Sequence, residues 1–279
     1  MSQASDSNPI PMIIVAAVVI AGALWFFKDS LFPTEQQVVV QPVAQETPAT
    51  PDETTMSGAI KRPVYEMPAE DTKDDQVIEE PLPPLDESDD AIFKALTDTF
   101  GPSLAPVLAE NHLIDKIVAT VDNLFGAHLA DTVRPVGQLP DQFKVTPGDD
   151  DEHFILDPEN YRRYDAMVNL ATGADPARVA SLYRRFYPLF QESYSRLGYP
   201  DSYFNDRVVE LIDHLLATPD VQDPIVLLRP HVLYTFADPK LEALSSGQKL
   251  LIRMGGFHTV TIKAYLRKLR NEITTARAE

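Results

Sequence analysis

Few residues in this 279-residue chain have types and spacings suited to chemistry, and most fall between Tyr183 and His214. In YRRFYPLFQESYSRLGYP, Tyr183 to Pro200, helical spacing lines up Tyr183, Arg184, Tyr187, Gln191 and Tyr194 along one flank. Tyr and Arg are the residues that protein interfaces enrich, so this flank is a candidate partner-binding surface. Tyr199, Tyr203, Phe204 and Asn205 just beyond it extend the row. The plainer alternative is packing at a core margin, with rings buried and the hydroxyls and guanidinium reaching the edge. FNDR, Phe204 to Arg207, also reads two ways. Asn205, Asp206 and Arg207 could bind a polar ligand, or Asn205 could cap a helix while Asp206 complements its dipole.

Metal and catalytic chemistry find less support. Glu210 and His214 stand one turn apart, but two ligands do not make a site, and a solvated i,i+4 pair accounts for them. Asp213 and His214 are neighbours in a helix, diverge by about 100° and cannot act as a base and its orienter. The chain has no Cys, no phosphate-cradling Gly-rich loop with Lys, no His-Glu-x-x-His and no Gly-x-Ser-x-Gly. No catalytic residue, metal or cofactor is expected. The last apolar-periodic segment carries Lys263, Arg267, Lys268, Arg270 and Arg277 against Glu272 and Glu279, opposite an apolar side of Ile262, Leu266, Leu269 and Ile273. Such a helix suits anionic lipid, an acidic partner, the chain's own acidic segment, or plain solvent.

The elements that must position these residues begin with an anchor. Ile10 to Phe27 is an uncharged apolar run of 18 residues, about 27 Å of helix and enough to span a hydrocarbon core. A cleaved signal is the rival reading, because Ala21-Gly22-Ala23 imitates a cleavage site. No base precedes the run, however, and Leu24 to Phe27 continue it, so a retained transmembrane helix at 10–27 is expected, in contact with membrane lipid. Lys28 taken alone favours a cytoplasmic C-terminal side. A long following segment translocates largely regardless of charge, and an outward-facing domain is the expectation.

Between Asp29 and Asp90 stand 16 acidic and 3 basic residues with nine prolines, a composition that cannot bury enough apolar surface to fold. Residues 28–85 therefore read as a disordered, acidic, Pro-rich tether between the anchor and a domain at 86–276, with short tails at 1–9 and 277–279. The formal charge of −18 repels phosphate backbones and excludes free nucleic acid as a partner.

Within the domain the period is helical. Ser88 is placed to cap a first helix, with Ile92, Phe93, Leu96 and Phe100 on its apolar side, and Asn111 to cap a second. A short strand fits Gln142 to Thr146. Asp157-Pro158, Asp175-Pro176 and Asp238-Pro239 open helices, because Asp accepts from a first-turn N–H and Pro has none to leave unpaired. Gly173, Gly198 and Gly255 close helices. On the long helix the core arc runs from Val179 through Phe186 and Phe190 to Leu197, with Pro188 on the solvent side. Further helices span Asn205 to Ala217 and His258 to Ala276. PIVLLRPHVLYTF reads as an extended connector or edge strand, since Pro230 interrupts it. The fold class is mainly α: one compact helical domain with a single core.

LDPENYRRYD, LYRRFYPLFQESYSRLGYPDSYFNDRVVELIDHLLATP and RPHVLYTFADPKLEALSSGQKLLIRMG resemble the bacterial family called domain of unknown function 3014, with PLPPLDESD and VATVDNL fitting its earlier part. The resemblance covers roughly Leu82 to Ile273. It implies a membrane-anchored bacterial protein and brings no activity and no catalytic residues. Together these readings lead to a single-pass inner-membrane protein whose domain binds or scaffolds an envelope protein. The alternatives are an envelope enzyme acting on cell-wall or lipid material through carboxylates such as Asp206 or Asp213, and a small-ligand sensor.

Overall fold

The computed structural model describes residues 81–127, 133–136, 143–150, 152–230 and 234–274. The expected transmembrane helix at 10–27, and all of the expected tether before residue 81, lie outside the described residues. Among the described ones no helix is long and apolar enough to cross a membrane.

A 3-10 turn, Leu85–Glu87, leads into helix α1 (Asp89–Phe100), a second 3-10 turn (Pro102–Val107) and α2 (Leu113–Asn123). Strands β1 (Val145–Pro147) and β2 (His153–Leu156) precede a single-turn α3 (Glu159–Arg162), then α4 (Asp165–Thr172), α5 (Pro176–Arg196) and α6 (Phe204–Leu216). Strands β3 (Val226–Leu228) and β4 (Thr235–Phe236) follow, then α7 (Pro239–Glu242), α8 (Ser246–Arg253) and α9 (Gly256–Thr274). The protein is mainly helical with a small sheet.

All three Asp-Pro pairs act as the sequence predicts. Asp157 Oδ1 accepts from the Glu159 N–H at 2.8 Å, Asp175 from Ala177 at 3.0 Å and Asp238 from Lys240 at 2.8 Å. Two further helix starts are capped from a distance. Asn111 does not cap α2; both Asp89 carboxylate oxygens, at the start of α1, accept from the His112 and Leu113 N–H groups at 2.8 Å. Asn205 does not cap α6 either. It is buried inside the first turn, and Gln191 Oε1 on α5 takes the Phe204 N–H at 2.8 Å. The Ser88 hydroxyl turns back to donate to the Leu85 carbonyl instead of accepting from α1.

The expected single core is two. The larger joins α1, α2, α4, α5, α6, α8 and α9 around Phe186, Phe190 and Phe204, each buried ring contributing roughly 1.5–3 kcal/mol. The smaller lies between the sheet and α8, where Leu156, Ile225, Leu227 and Phe236 meet Ile252. Helix α8 is buried along its whole length and divides the two, giving Leu250, Leu251 and Met254 to one and Ile252 to the other.

The sheet also corrects the extended segments. Its order is β1-β2-β3-β4, antiparallel throughout. Leu227 pairs with Phe154 on one side and Phe236 on the other, so β3 is an interior strand, not an edge, and Pro230 falls outside it. The strand expected at Gln142 to Thr146 begins later and pairs Val145 with Leu156. Leu197, placed by sequence in the core arc, is exposed at the end of α5, while Pro188 is exposed as expected.

Candidate functional site

The long helix and its partner bring the sequence-derived candidates together, mostly by turning them inward. On α5 the Tyr183 ring is buried against Tyr187, Phe190 and Phe204, with centroids 5.7, 5.7 and 6.4 Å away. Its hydroxyl is buried without a hydrogen bond, and desolvation holds its ionisation well above the usual phenol range. Tyr194 is buried too and stacks on Tyr199 at 4.7 Å. The hydroxyl of Tyr183 thus does not reach the domain edge. Tyr187 is half-buried and donates to Gln191 Oε1 at 2.8 Å, and burial pushes its pKa up to about 12. Gln191 is fully used: Oε1 serves Tyr187 and Phe204, and Nε2 donates to the Ser202 carbonyl at 2.8 Å. Arg184 reaches across to α9 and donates to the Glu272 carbonyl at 3.2 Å. Tyr203 remains exposed at the entrance to α6, and Asp206 sits in that helix's first turn.

Arg207 anchors a second row. Its Nε donates to Asp122 Oδ1 at 2.9 Å, Nη2 reaches the Asp122 carbonyl at 3.2 Å, and the guanidinium lies 3.9 Å from the centroid of the Phe125 ring. The His214 ring is the next neighbour of Phe125, at 5.0 Å. Burial, then the Arg207 charge, lower the His214 pKa, so the ring stands neutral with Nε2 2.8 Å from Ser245 Oγ. Sequence reading missed this Ser-His pair, because 31 residues separate the two and no local motif marks them.

The pair is built for architecture. Ser245 Oγ also accepts from the Gln248 N–H as the cap of α8. The next two amides, which an acyl-transfer site would aim at an oxyanion, donate instead to the Gly126 and Leu124 carbonyls at 2.7 and 3.2 Å. Glu210 turns to Arg207 at 3.6 Å, so Glu210 and His214 do not converge. Among the described residues no three His, Asp or Glu side chains could hold a metal ion.

Helix α9 presents the other candidate surface. Ile262, Leu266 and Leu269 enter the core as expected and Ile273 packs half-buried against it, but Tyr265 and Lys263 go in too, Lys263 donating to the Thr218 carbonyl at 2.6 Å and to Asp220 at 3.0 Å. Arg270 is clamped by both oxygens of Asp213 at 2.5 and 2.9 Å. Neither belongs to a free basic face. The outer side is a stripe of Phe257, Val260 and Ala264 followed by Arg267 and Lys268, all exposed. Phe257 is 81% and Val260 63% exposed, well beyond what scattered surface apolar residues need. The signal was present in the sequence as apolar residues at helical spacing opposite Ile262 and Leu266.

The family description "Protein of unknown function (DUF3014)" matches residues 113–270. The chain belongs to this family. The DUF3014 span opens on Leu113, the first residue of α2, and closes on Arg270, which clamps Asp213. It contains the aromatic flank, the Arg207 row and the whole apolar part of the α9 stripe. Helix α1 precedes the DUF3014 span, yet its Asp89 supplies the cap that starts it. No curated protein and no solved structure matches the chain.

Proposed function

We propose that this protein is a protein-binding module of the bacterial cell envelope, tethered to the inner membrane through residues 10–27 and presenting the outer face of α9 to an envelope protein. The observation that carries the reading is the pairing of Phe257 and Val260, one turn apart and largely exposed, on a helix whose other side fills the core. Interfaces are built around such aromatic anchors. The aromatic flank of α5 supports the same reading from behind: Gln191, Tyr187 and Arg207 are spent holding α2, α5 and α6 together, which gives α9 a rigid base. The enzyme alternative gains nothing from Ser245 and His214, whose groups are committed to a helix cap, and no observation favours a sensor.

The test is photo-crosslinking from position 257 or 260 in the full-length chain in its native envelope. The expected result is one reproducible, mass-identified envelope protein that is absent from the exposed control position Ser181 and lost with Val260→Asp. Adducts no different from the Ser181 control would refute the reading. A compartment-sensitive reporter fused after Glu279 tests the outward orientation; a cytoplasmic signal would move the search to soluble partners.

A further inference from the structure

The α9 stripe has a polarity: an apolar head at Phe257, Val260 and Ala264, then a basic tail at Arg267 and Lys268. Three acids bordering the helix are already matched, Asp165 with His258 at 2.9 Å, Asp220 with Lys263 at 3.0 Å and Asp213 with Arg270 at 2.5 Å, and Glu272, one turn beyond Lys268 on the helix itself, makes no ion pair with it. Arg267 and Lys268 make no ion pair among the described residues. The same chain carries, just before its first described residue, the opposite pattern. Val64, Tyr65 and Met67 are followed by Glu70, Asp71, Asp74, Asp75, Glu79 and Glu80, with Lys73 as the one base among them.

We propose that residues 64–80 of this chain occupy the α9 stripe, their acids on Arg267 and Lys268 and their apolar residues on Phe257 and Val260, so that the docking surface proposed above is covered until a partner displaces its own tether. This inference rests on that surface being a docking site. Order and reach both fit. Asp86 is fixed at the far end of α5 by Arg196 at 2.7 Å. Helices α5 and α9 run in the same direction, for Asp175 acts on Tyr265 while Arg184, further along, reaches Glu272. Counting helix rise from the Arg184 contact, Lys268 lies roughly 24 Å and Phe257 roughly 40 Å back from Asp86. A segment leaving Asp86 towards the stripe therefore meets the basic tail first and the apolar head second. At roughly 3.3 Å per extended residue, about 7 residues reach the first and about 12 the second. Glu70 and Met67 precede Pro81, the first described residue, by 11 and 14 residues, roughly 36 and 46 Å of extended chain, which covers the two distances counted from Asp86.

Charge and concentration favour this occupant over a second copy, since two chains of charge −18 repel, whereas a tethered segment acts at high local concentration. A single helix face is also small beside the area that a stable dimer buries.

The chain has no Cys, so paired cysteines can be introduced without background. The full-length protein in nanodiscs of neutral lipid would carry Thr72→Cys with Ala264→Cys, and as control Thr72→Cys with Ser181→Cys. Ser181 is exposed and, by helix rise, roughly 22 Å from Asp86, so an indifferent tether meets it as readily. The proposal expects intramolecular disulfide closure at least about tenfold faster for the Ala264 pair. That preference should fall in 1 M salt, where screening shortens to about 3 Å, and with Arg267→Glu plus Lys268→Glu. Equal closure rates overturn it. Faster intermolecular linkage through Ala264→Cys alone assigns the face to a second copy, and protection of that cysteine only in discs of anionic lipid assigns it to the membrane; either overturns the proposal. If closure fails while crosslinks to an envelope protein from position 260 persist, only the occupant is wrong. If both fail, the docking surface falls with it.

Discussion

Replacing Arg207 by Ala separates a binding residue from a structural one. The guanidinium is 25% exposed and its partner Asp122 16%, too buried for the pair to be a surface bridge of negligible worth. Two hydrogen bonds to Asp122 and a ring contact at 3.9 Å would be lost, and the Asp122 carboxylate would stay partly buried without its cation. A charge-assisted hydrogen bond contributes about 1.5–3 kcal/mol, and a partly desolvated cation–π contact about 1 kcal/mol. After allowing for water entering beside Asp122, the expected loss is about 3 kcal/mol. In a domain of this size that is roughly 6–12 °C in Tm. Urea denaturation measures it directly. Arg207→Lys keeps the charge but not the planar fork, and should recover about half. A double-mutant cycle with Asp122→Ala should show about 2 kcal/mol of coupling. NMR titration adds an independent check, because removing the Arg207 charge must raise the His214 pKa. A loss below about 1 kcal/mol, with Lys equal to Arg and the His214 titration unmoved, would refute the structural assignment and return Arg207 to solvent and to ligands.

Gly255 has φ +86°, and a Cβ there would sit 2.7 Å from the Tyr161 ring. Gly255→Ala should cost about 2–4 kcal/mol by denaturation, with part recovered when Tyr161 is shortened to Leu; no recovery would leave backbone strain as the whole effect. His214 is neutral in the fold because burial depresses its pKa, so its stabilisation is present above the ordinary imidazole value of about 6.5 and is lost as pH falls below it towards the folded value. His214→Gln should flatten that acid limb in denaturation curves between about pH 7 and 5. Asp89→Ala removes two accepted hydrogen bonds from the start of α2 and should cost about 2 kcal/mol, with Asp89→Asn intermediate; hydrogen exchange at His112 and Leu113 locates the loss.

What could be read from sequence was local. Asp-Pro starts, glycine stops and the apolar faces of α5, α6 and α9 depend on residues within a turn or two, and they hold in the fold. Caps supplied across the structure could not be read that way. Asn111 and Asn205 are good cap residues by type, but Asp89 and Gln191 take those amides from 24 and 13 residues away. The sheet was lost for a similar reason: β3 and β4 are three and two residues long, too short for an alternation to show, and they exist through pairing of β3 with β2 and of β4 with β3. The candidate flank on α5 was found as a cluster, yet which hydroxyls face water depends on where α6 lies. Lys263 shows the converse. Its type suggests an exposed base, and only the Thr218 carbonyl and Asp220 explain its burial.

The sheet has a consequence for how a partner can attach. One border strand, β1, ends in Pro147, which has no N–H to donate. At the other border the outward Phe236 N–H is taken by Glu242 at 2.8 Å. Each rim thus lacks one outward donor that strand addition by an incoming peptide or a neighbouring molecule would use. Recruitment by β-augmentation and self-templated aggregation along the same route are thereby disfavoured, which leaves side chains on the helices as the better surface for docking on this domain.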